Sequence, residues 1–202
     1  MKTLKKILII IILNFFYIFA FSQEGVKFTT LQEAIGKFDE KGLKTEEWKK
    51  YYDNEQLRWI GKFDKSKEIG LWQYYHKNGQ LEMSGNFRTG KKIGEWKFYN
   101  EAGILISTQN YEDDKLIDGK FYYSNGKLQR IYITDNQNQI GVTNNFYQNG
   151  QLLFTQITNL KDDNSEIRAY YQNGNLKYVG YFKGNRMTGK WFYYYENGQL
   201  EV

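Results

Sequence analysis

One interval governs what this chain can fold into. Glu55, Gly79, Gly103, Gly126, Gly150, Gly174 and Gly198 are spaced 24, 24, 23, 24, 24 and 24 residues apart. Two residues after each comes a leucine: Leu57, Leu81, Leu105, Leu128, Leu152, Leu176 and Leu200. Asn precedes six of them (Asn54, Asn78, Asn125, Asn149, Asn173 and Asn197). A fixed period in the 20–50 range marks one supersecondary unit written repeatedly, each copy hiding its apolar side against the next.

The unit reads as a β-hairpin. In Gly70–Phe87, GLWQYYHKNGQLEMSGNF, an aromatic strand leads into Asn78-Gly79 and a second strand opens with Leu81. Asn-Gly tolerates positive φ at both central positions of a two-residue type I′ turn, and such a turn fixes the register. His76 then faces Leu81, Tyr74 faces Met83 and Trp72 faces Gly85 on one side of the hairpin. The equivalent side of the first hairpin carries Trp48, Tyr52, Leu57, Trp59 and Gly61, and that of the last carries Trp191, Tyr193, Tyr195, Leu200 and Val202. Trp recurs across from Gly (Trp48/Gly61, Trp72/Gly85), which makes this side the core. The expected fold is all-β, about seven stacked antiparallel hairpins over residues 48–202.

The opposite side is mostly Lys, Gln, Glu, Ser and Thr, with one aromatic position. Four residues before each turn position stand Tyr51, Tyr75, Tyr99, Tyr122, Phe146, Tyr170 and Tyr194. Tyrosine is apolar in body and polar at its tip, so an aligned row suits a protein partner or an extended polymer such as a glycan. The same row also stiffens a sheet by cross-strand packing alone.

These hairpins resemble MORN repeats in their shorter variant, G-x-W-x-x-Y-Y-x-x-N-G-x-L-x-x-x-G-x-F. Gly70, Trp72, Tyr74, Tyr75, Asn78, Gly79, Leu81, Gly85 and Phe87 carry that resemblance. Gly94, Trp96, Tyr99, Gly103 and Leu105, and Gly189, Trp191, Tyr194, Asn197, Gly198 and Leu200, repeat it. Bacterial proteins of this kind are similar to YwqK-type antitoxins, which implies binding to a partner protein. The middle departs from the pattern. Gly119, Thr143 and Ile167 stand where Trp is expected, and polar Thr134–Asn145 suggests a bulge, a bend or a loose hairpin.

Ahead of the repeats lie two further segments. Residues 1–22 join Lys2, Lys5 and Lys6 to the apolar run Ile7–Phe19 and the small residues Ala20 and Ser22, the three parts of a secretory signal cleaved after Ser22. The chain is therefore expected to be exported. The alternative is an uncleaved membrane anchor, since the run and its flanks near the ~20 residues that span a bilayer. Residues 23–47 are expected to cap the array with a short helix. Thr30-Leu-Gln-Glu33 forms a capping box, Leu31, Ala34, Ile35 and Phe38 share one helical face, and Gly42 stops it.

Composition excludes several classes. Removing three lysines with residues 1–22 lowers the formal charge from +5 to +2, too little to attract nucleic acid. With no Cys and a single His, His76, a zinc site is not expected. Asp113-Asp114 and Asp162-Asp163 fall between hairpins as solvated loop charges. Asp162, Asn164 and Glu166 alternate without the Gly and distal Glu of a calcium loop. Lys65, Lys67, Arg88, Lys91, Lys92, Lys183 and Arg186 supply basic loops, which under the anchored alternative would meet anionic lipid. No catalytic set and no cofactor is expected. The expectation is a non-enzymatic binding or scaffold module.

Overall fold

The computed structural model describes residues 34–201. It is all-β, with fourteen strands: β1 (Ile35–Phe38), β2 (Lys44–Tyr51), β3 (Leu57–Asp64), β4 (Lys67–Tyr75), β5 (Leu81–Arg88), β6 (Lys91–Tyr99), β7 (Leu105–Glu112), β8 (Lys115–Tyr122), β9 (Leu128–Asp135), β10 (Ile140–Phe146), β11 (Leu152–Asn159), β12 (Asn164–Tyr170), β13 (Leu176–Lys183) and β14 (Arg186–Tyr193). Hydrogen-bonded neighbours follow chain order from β1 to β14. Contacts group the described residues into two units. One runs to Gln80 and takes in Phe87–Gly90; the other holds Leu81–Asn86 and everything from Lys91.

Two kinds of turn alternate, and the two-residue kind is not at Asn-Gly, where it was expected. At each repeat position the loop has three residues. His76 N–H donates to the Gln80 carbonyl at 2.8 Å and Gly79 N–H to the His76 carbonyl at 2.9 Å. Only the last loop residue is left-handed (Gly79 at φ 84°, Glu55 at 65°), while Asn78 keeps a negative φ and accepts the Gln80 amide on its side chain at 3.0 Å. This is a type I turn closed by a left-handed residue, a commoner partner of Asn-Gly than the sequence reading allowed. Two-residue turns with both residues at positive φ occur between hairpins instead, at Lys65-Ser66, Thr89-Gly90 and Asp113-Asp114.

The three-residue loop shifts the pairing next to the turn. Tyr51, not Tyr52, lies opposite Leu57. One residue of irregularity then restores Lys50↔Trp59 and Trp48↔Gly61, the register expected from the sequence. The same shift recurs at Tyr99↔Leu105, Tyr122↔Leu128, Phe146↔Leu152 and Tyr170↔Leu176.

In the first unit the core is a chain of indoles. Each Trp ring lies over the glycine of the preceding strand rather than the one across its own hairpin. A Cβ on Gly36 would meet Trp48 at 2.3 Å, and one on Gly61 would meet Trp72 at 2.1 Å. Phenylalanines close the rings edge-on from both sides. Trp48 has Phe38 at 4.9 Å and Phe63 at 5.9 Å; Trp72 has Phe63 at 5.0 Å and Phe87 at 5.6 Å. Such edge contacts add about 0.5–1.5 kcal/mol each beyond area burial. The indole N–H of Trp72 donates to the Lys62 carbonyl at 3.2 Å, so nothing polar is stranded under the ring. Trp48 and Trp72 are buried. Beside them burial pushes the Tyr74 phenol up to about 12, with the Glu68 charge adding to the shift.

The second unit begins the same way and then changes filling. Trp96 is fully buried over Gly85, and the Lys92 ammonium sits 4.7 Å from its ring. From β7 to β12 hydrogen-bonded polar side chains take over, before Trp191 on β14 again lies over a glycine, Gly180. Tyr111 Oη donates to Gln109 at 2.6 Å, and Gln109 Nε2 to Ser107 at 3.0 Å. Thr134 donates to Tyr132 at 2.9 Å, and Gln156 Nε2 to Ser165 at 3.0 Å. Ser107, Thr134 and Ser165 are buried, as are Ile167 and Ala169. Buried hydroxyls need such partners, and here each has one.

Two sequence expectations are corrected by this arrangement. Thr134–Asn145 is not loose. β9 and β10 pair residue for residue from Ile140↔Asp135 to Asn145↔Arg130, and Asp135 Oδ1 accepts the amides of Gln137 and Asn138 at 3.0 Å to hold the turn. Nor is the N-terminal segment helical where it is described. Ile35–Phe38 is β1, paired with β2, and Lys44–Tyr51 is strand as well. Gly36-Lys37-Phe38 is half a repeat, matching Gly61-Lys62-Phe63, and the ring of Trp48 requires its glycine. The capping box Thr30–Glu33 and the proposed signal lie outside the described residues.

Candidate functional site

The Tyr-Tyr doublets at the strand ends build two neighbouring rows with different duties. The second residue of each doublet ties consecutive hairpins together. Tyr52 Oη donates to the Tyr75 carbonyl at 2.8 Å, Tyr123 to Phe146 at 2.7 Å, Tyr147 to Tyr170 at 2.9 Å and Tyr171 to Tyr194 at 2.8 Å. The sequence reading had placed Tyr52 and Tyr195 among core residues and missed this role. The signal was present as the doublet itself, which breaks to Tyr75-His76 and Tyr99-Asn100 in the second and third hairpins.

The first residues of the doublets are the expected binding row. In the first unit Tyr51 ends β2 and Tyr75 ends β4; in the second Tyr99, Tyr122, Phe146 and Tyr170 end β6, β8, β10 and β12, and Tyr194 pairs with Leu200 just past β14. All seven are half-buried, and the register sets a leucine directly across from Tyr51, Tyr99, Tyr122, Phe146, Tyr170 and Tyr194. They are therefore not rings standing free on a polar side. The main-chain carbonyls of Tyr75, Phe146, Tyr170 and Tyr194 hold the neighbouring row in place. Among the described residues the hydroxyls of Tyr51, Tyr122, Tyr170 and Tyr194 make no internal hydrogen bond. Half-exposed rings with unengaged hydroxyls can stack on and hydrogen-bond to a ligand; the neighbouring row cannot without giving up its tie.

The opposite ends of the hairpins are stitched by backbone. Ser66 N–H donates to the Lys44 carbonyl at 2.9 Å, Gly90 to Glu68 at 2.9 Å, Asp114 to Lys92 at 3.0 Å and Gly184 to Asp163 at 2.9 Å. Charges in these loops are largely engaged. Asp114 Oδ1 accepts the Lys92 amide at 2.8 Å, and the Lys92 ammonium lies over Trp96 and Tyr111. Glu166 pairs with Arg168 at 2.6 Å while Asp162 accepts the Asn164 amide, so that alternation of oxygens does not converge. At the turn tips Lys77 binds Asp53 at 2.8 Å and holds its carboxyl below the usual range.

The strand pattern, the glycine under each indole and the leucine after each turn define the unit, and five segments match a known one. Residues 68–88, 92–113, 118–136, 164–183 and 187–202 match the MORN repeat variant family. Five of the repeats are thus similar to MORN repeat variants. The matched segments leave out the first MORN-like hairpin, where Glu55 replaces glycine, and the fifth, where Thr143 stands at the Trp position. No curated protein matches the chain. Among solved structures, the crystal structure of a GtfA/B complex bound to UDP and GlcNAc is similar at 13% identity and a TM-score of 0.18, over 62% of this chain. The likeness spans 22% of that protein's chain.

Proposed function

We propose that this MORN repeat array is an exported, non-enzymatic binding or scaffold module whose contact strip is the row Tyr51, Tyr75, Tyr99, Tyr122, Phe146, Tyr170 and Tyr194. The observation that carries the reading is the division of labour between the two tyrosine rows. One row has its hydroxyls bound to backbone. The other keeps a half-exposed ring in every repeat, with the hydroxyls of Tyr51, Tyr122, Tyr170 and Tyr194 unengaged among the described residues. Within either unit, a partner that repeats or extends along the strip, whether polypeptide or polymer, would meet a half-exposed aromatic ring at each step. Resemblance to YwqK-type antitoxins favours a protein partner. Export rests on residues 1–22 alone.

Replacing Tyr122, Tyr170 and Tyr194 together with Leu removes rings and hydroxyls while keeping apolar contact with the facing leucines. Retention of envelope polypeptides and soluble polysaccharides on the immobilised chain should fall at least about tenfold, the loss of roughly 1.4 kcal/mol, with little change in melting temperature. Equal retention by the variant discards the strip. Mass spectrometry of the native N-terminus tests export: Gln23 first supports release, whereas Met1 first supports the anchored alternative.

A further inference from the structure

We infer that β1 of a second copy docks against the outer edge of β14, so that chains join head to tail into a continued array. Strands of two types alternate through the sheet: Trp-type strands such as β2 and β4, and Gly-x-Phe strands such as β3. β14 is Trp-type and β1 is Gly-x-Phe type. Among the described residues, the outer edge of β14 from Arg186 to Phe192 and the outer edge of β1 have no strand beside them. Each is the type of neighbour the other lacks.

The side chains at the two edges are complementary in the same sense. Trp191 has its glycine and its preceding phenylalanine, with Gly180 under the ring and Phe182 edge-on at 5.1 Å. It lacks the second phenylalanine that Phe63 gives Trp48 and Phe87 gives Trp72, and it is only half-buried where those two are buried. Phe38 has the converse deficit. Phe63 lies between two indoles and is 7% exposed, whereas Phe38 meets one indole, Trp48, among the described residues and is 40% exposed. Supplying Phe38 to the open side of Trp191 completes both sites.

The register follows from the chain's own hairpins. It leaves a single place, that of Trp59, between Glu201 and Ile35 of the second copy, so the chain before Ile35 has to leave the sheet there. Leu200 and Glu201 fill the places that Leu57 and Arg58 take at the start of β3, with Leu200 bridged to Tyr194 and Glu201 N–H donating to the Tyr193 carbonyl at 2.8 Å. Ile35–Phe38 of the second copy would fill the places of Ile60–Phe63. Trp191 then faces Gly36 as Trp48 faces Gly61. Phe192, 37% exposed, faces Ile35 as Lys49 faces Ile60. Lys190 faces Lys37, which Glu46 already neutralises at 3.1 Å. The Tyr195 hydroxyl comes to the Tyr51 carbonyl of the second copy, repeating the tie that Tyr171 makes to Tyr194.

Sedimentation of the chain purified from cells expressing the full sequence should show a concentration-dependent series of dimers and longer species. Ile35→Glu and Phe192→Lys each should raise the concentration needed for assembly at least about tenfold, one buried apolar pair lost. Ile35→Glu places a carboxylate beside Lys49, its partner in β2, so the fold is not penalised there. Mixing the two variants should restore assembly, since every junction is then either Glu against Lys or Ile against Phe. Lys190→Glu, facing Lys37 as Glu47 faces Lys62, should lower the required concentration a few-fold. A wild-type chain that stays monomeric, variants that assemble like wild type, or a mixture that fails to recover would each overturn the head-to-tail junction.

Discussion

The hairpins around Trp48 and Trp72 and those of β7–β12 share one backbone but are filled differently. The first set closes an indole between a bare glycine and two phenylalanine edges. The second replaces it with Gln109, Tyr111 and Ser107, then Tyr132 and Thr134, then Gln156 and Ser165, joined by side-chain hydrogen bonds. Backbone pairing and the ties at both strand ends are common to both. The repeat is thus defined by its turns, its leucine and its inter-hairpin ties, and its core is exchangeable. An indole core is intolerant of added volume; a hydrogen-bonded one is intolerant of lost partners.

The largest expected break in this contrast is Trp72→Ala, which should cost the first unit about 3–5 kcal/mol as a large core ring is deleted. Hydrogen exchange, resolved hairpin by hairpin, is the suitable measure because repeat arrays need not unfold in one step. Next comes a matched pair of glycine substitutions. A Cβ at Gly61 would sit 2.1 Å from the Trp72 ring, while one at Gly119 meets its nearest neighbours at 3.3 Å. Gly61→Ala should therefore cost roughly 2–3 kcal/mol and Gly119→Ala under about 1 kcal/mol. Equal losses in chemical denaturation would mean that the two fillings do not differ in tightness. Gln156→Ala should remove about 1 kcal/mol from the β11–β12 region by leaving buried Ser165 without its donor. Tyr147→Phe should cost about 0.5–1 kcal/mol, since it leaves the Tyr170 carbonyl without its tie.

The last test is one of alkaline pH and bears on the first unit. Tyr74 has a folded-state pKa raised to about 12 by burial, above its ordinary value of 10.0. Between those values the folded state holds a proton that the unfolded chain has released. Stability of the first unit is therefore unaffected below pH 10 and falls as pH rises toward 12. Tyr74→Phe should flatten that decline when thermal unfolding is followed across the alkaline range. A slope unchanged in the variant would assign the decline to other groups.

Much of this was readable from residues alone, because spacing is a property that tertiary context does not override. The period, the leucine two places after each turn and the pairing of Trp48 with Gly61 all follow from the sequence. The turn type did not, because Asn-Gly fits both a two-residue turn and the end of a three-residue one. Glu55 and the Ala102-Gly103 pair held the clue: a side chain before the glycine need not be left-handed, whereas a type I′ turn demands it. Which glycine lies under each indole also escaped, since register within a hairpin says nothing about the tilt of a ring toward the preceding strand. At the N-terminus a helical spacing of Ala34, Ile35 and Phe38 competed with Gly36-x-Phe38. The strand prevailed because Trp48 needs a glycine beneath it. The proposed contact row was legible as aromatic positions, but its pairing with leucine and its carbonyls' role depended on the shifted register.

The ties made by Tyr52, Tyr123, Tyr147 and Tyr171 reach 23 residues ahead, and the loop-amide bond from Ser66 to Lys44 reaches 22 residues back. Among the described residues, no linkage of this kind outruns a single period. Under tension applied at the termini, a chain tied this way should give way stepwise, releasing about one hairpin's length per event instead of yielding all at once. Each rupture then leaves the next tie intact, so the molecule would behave as an extensible strap that re-forms locally when the load is removed.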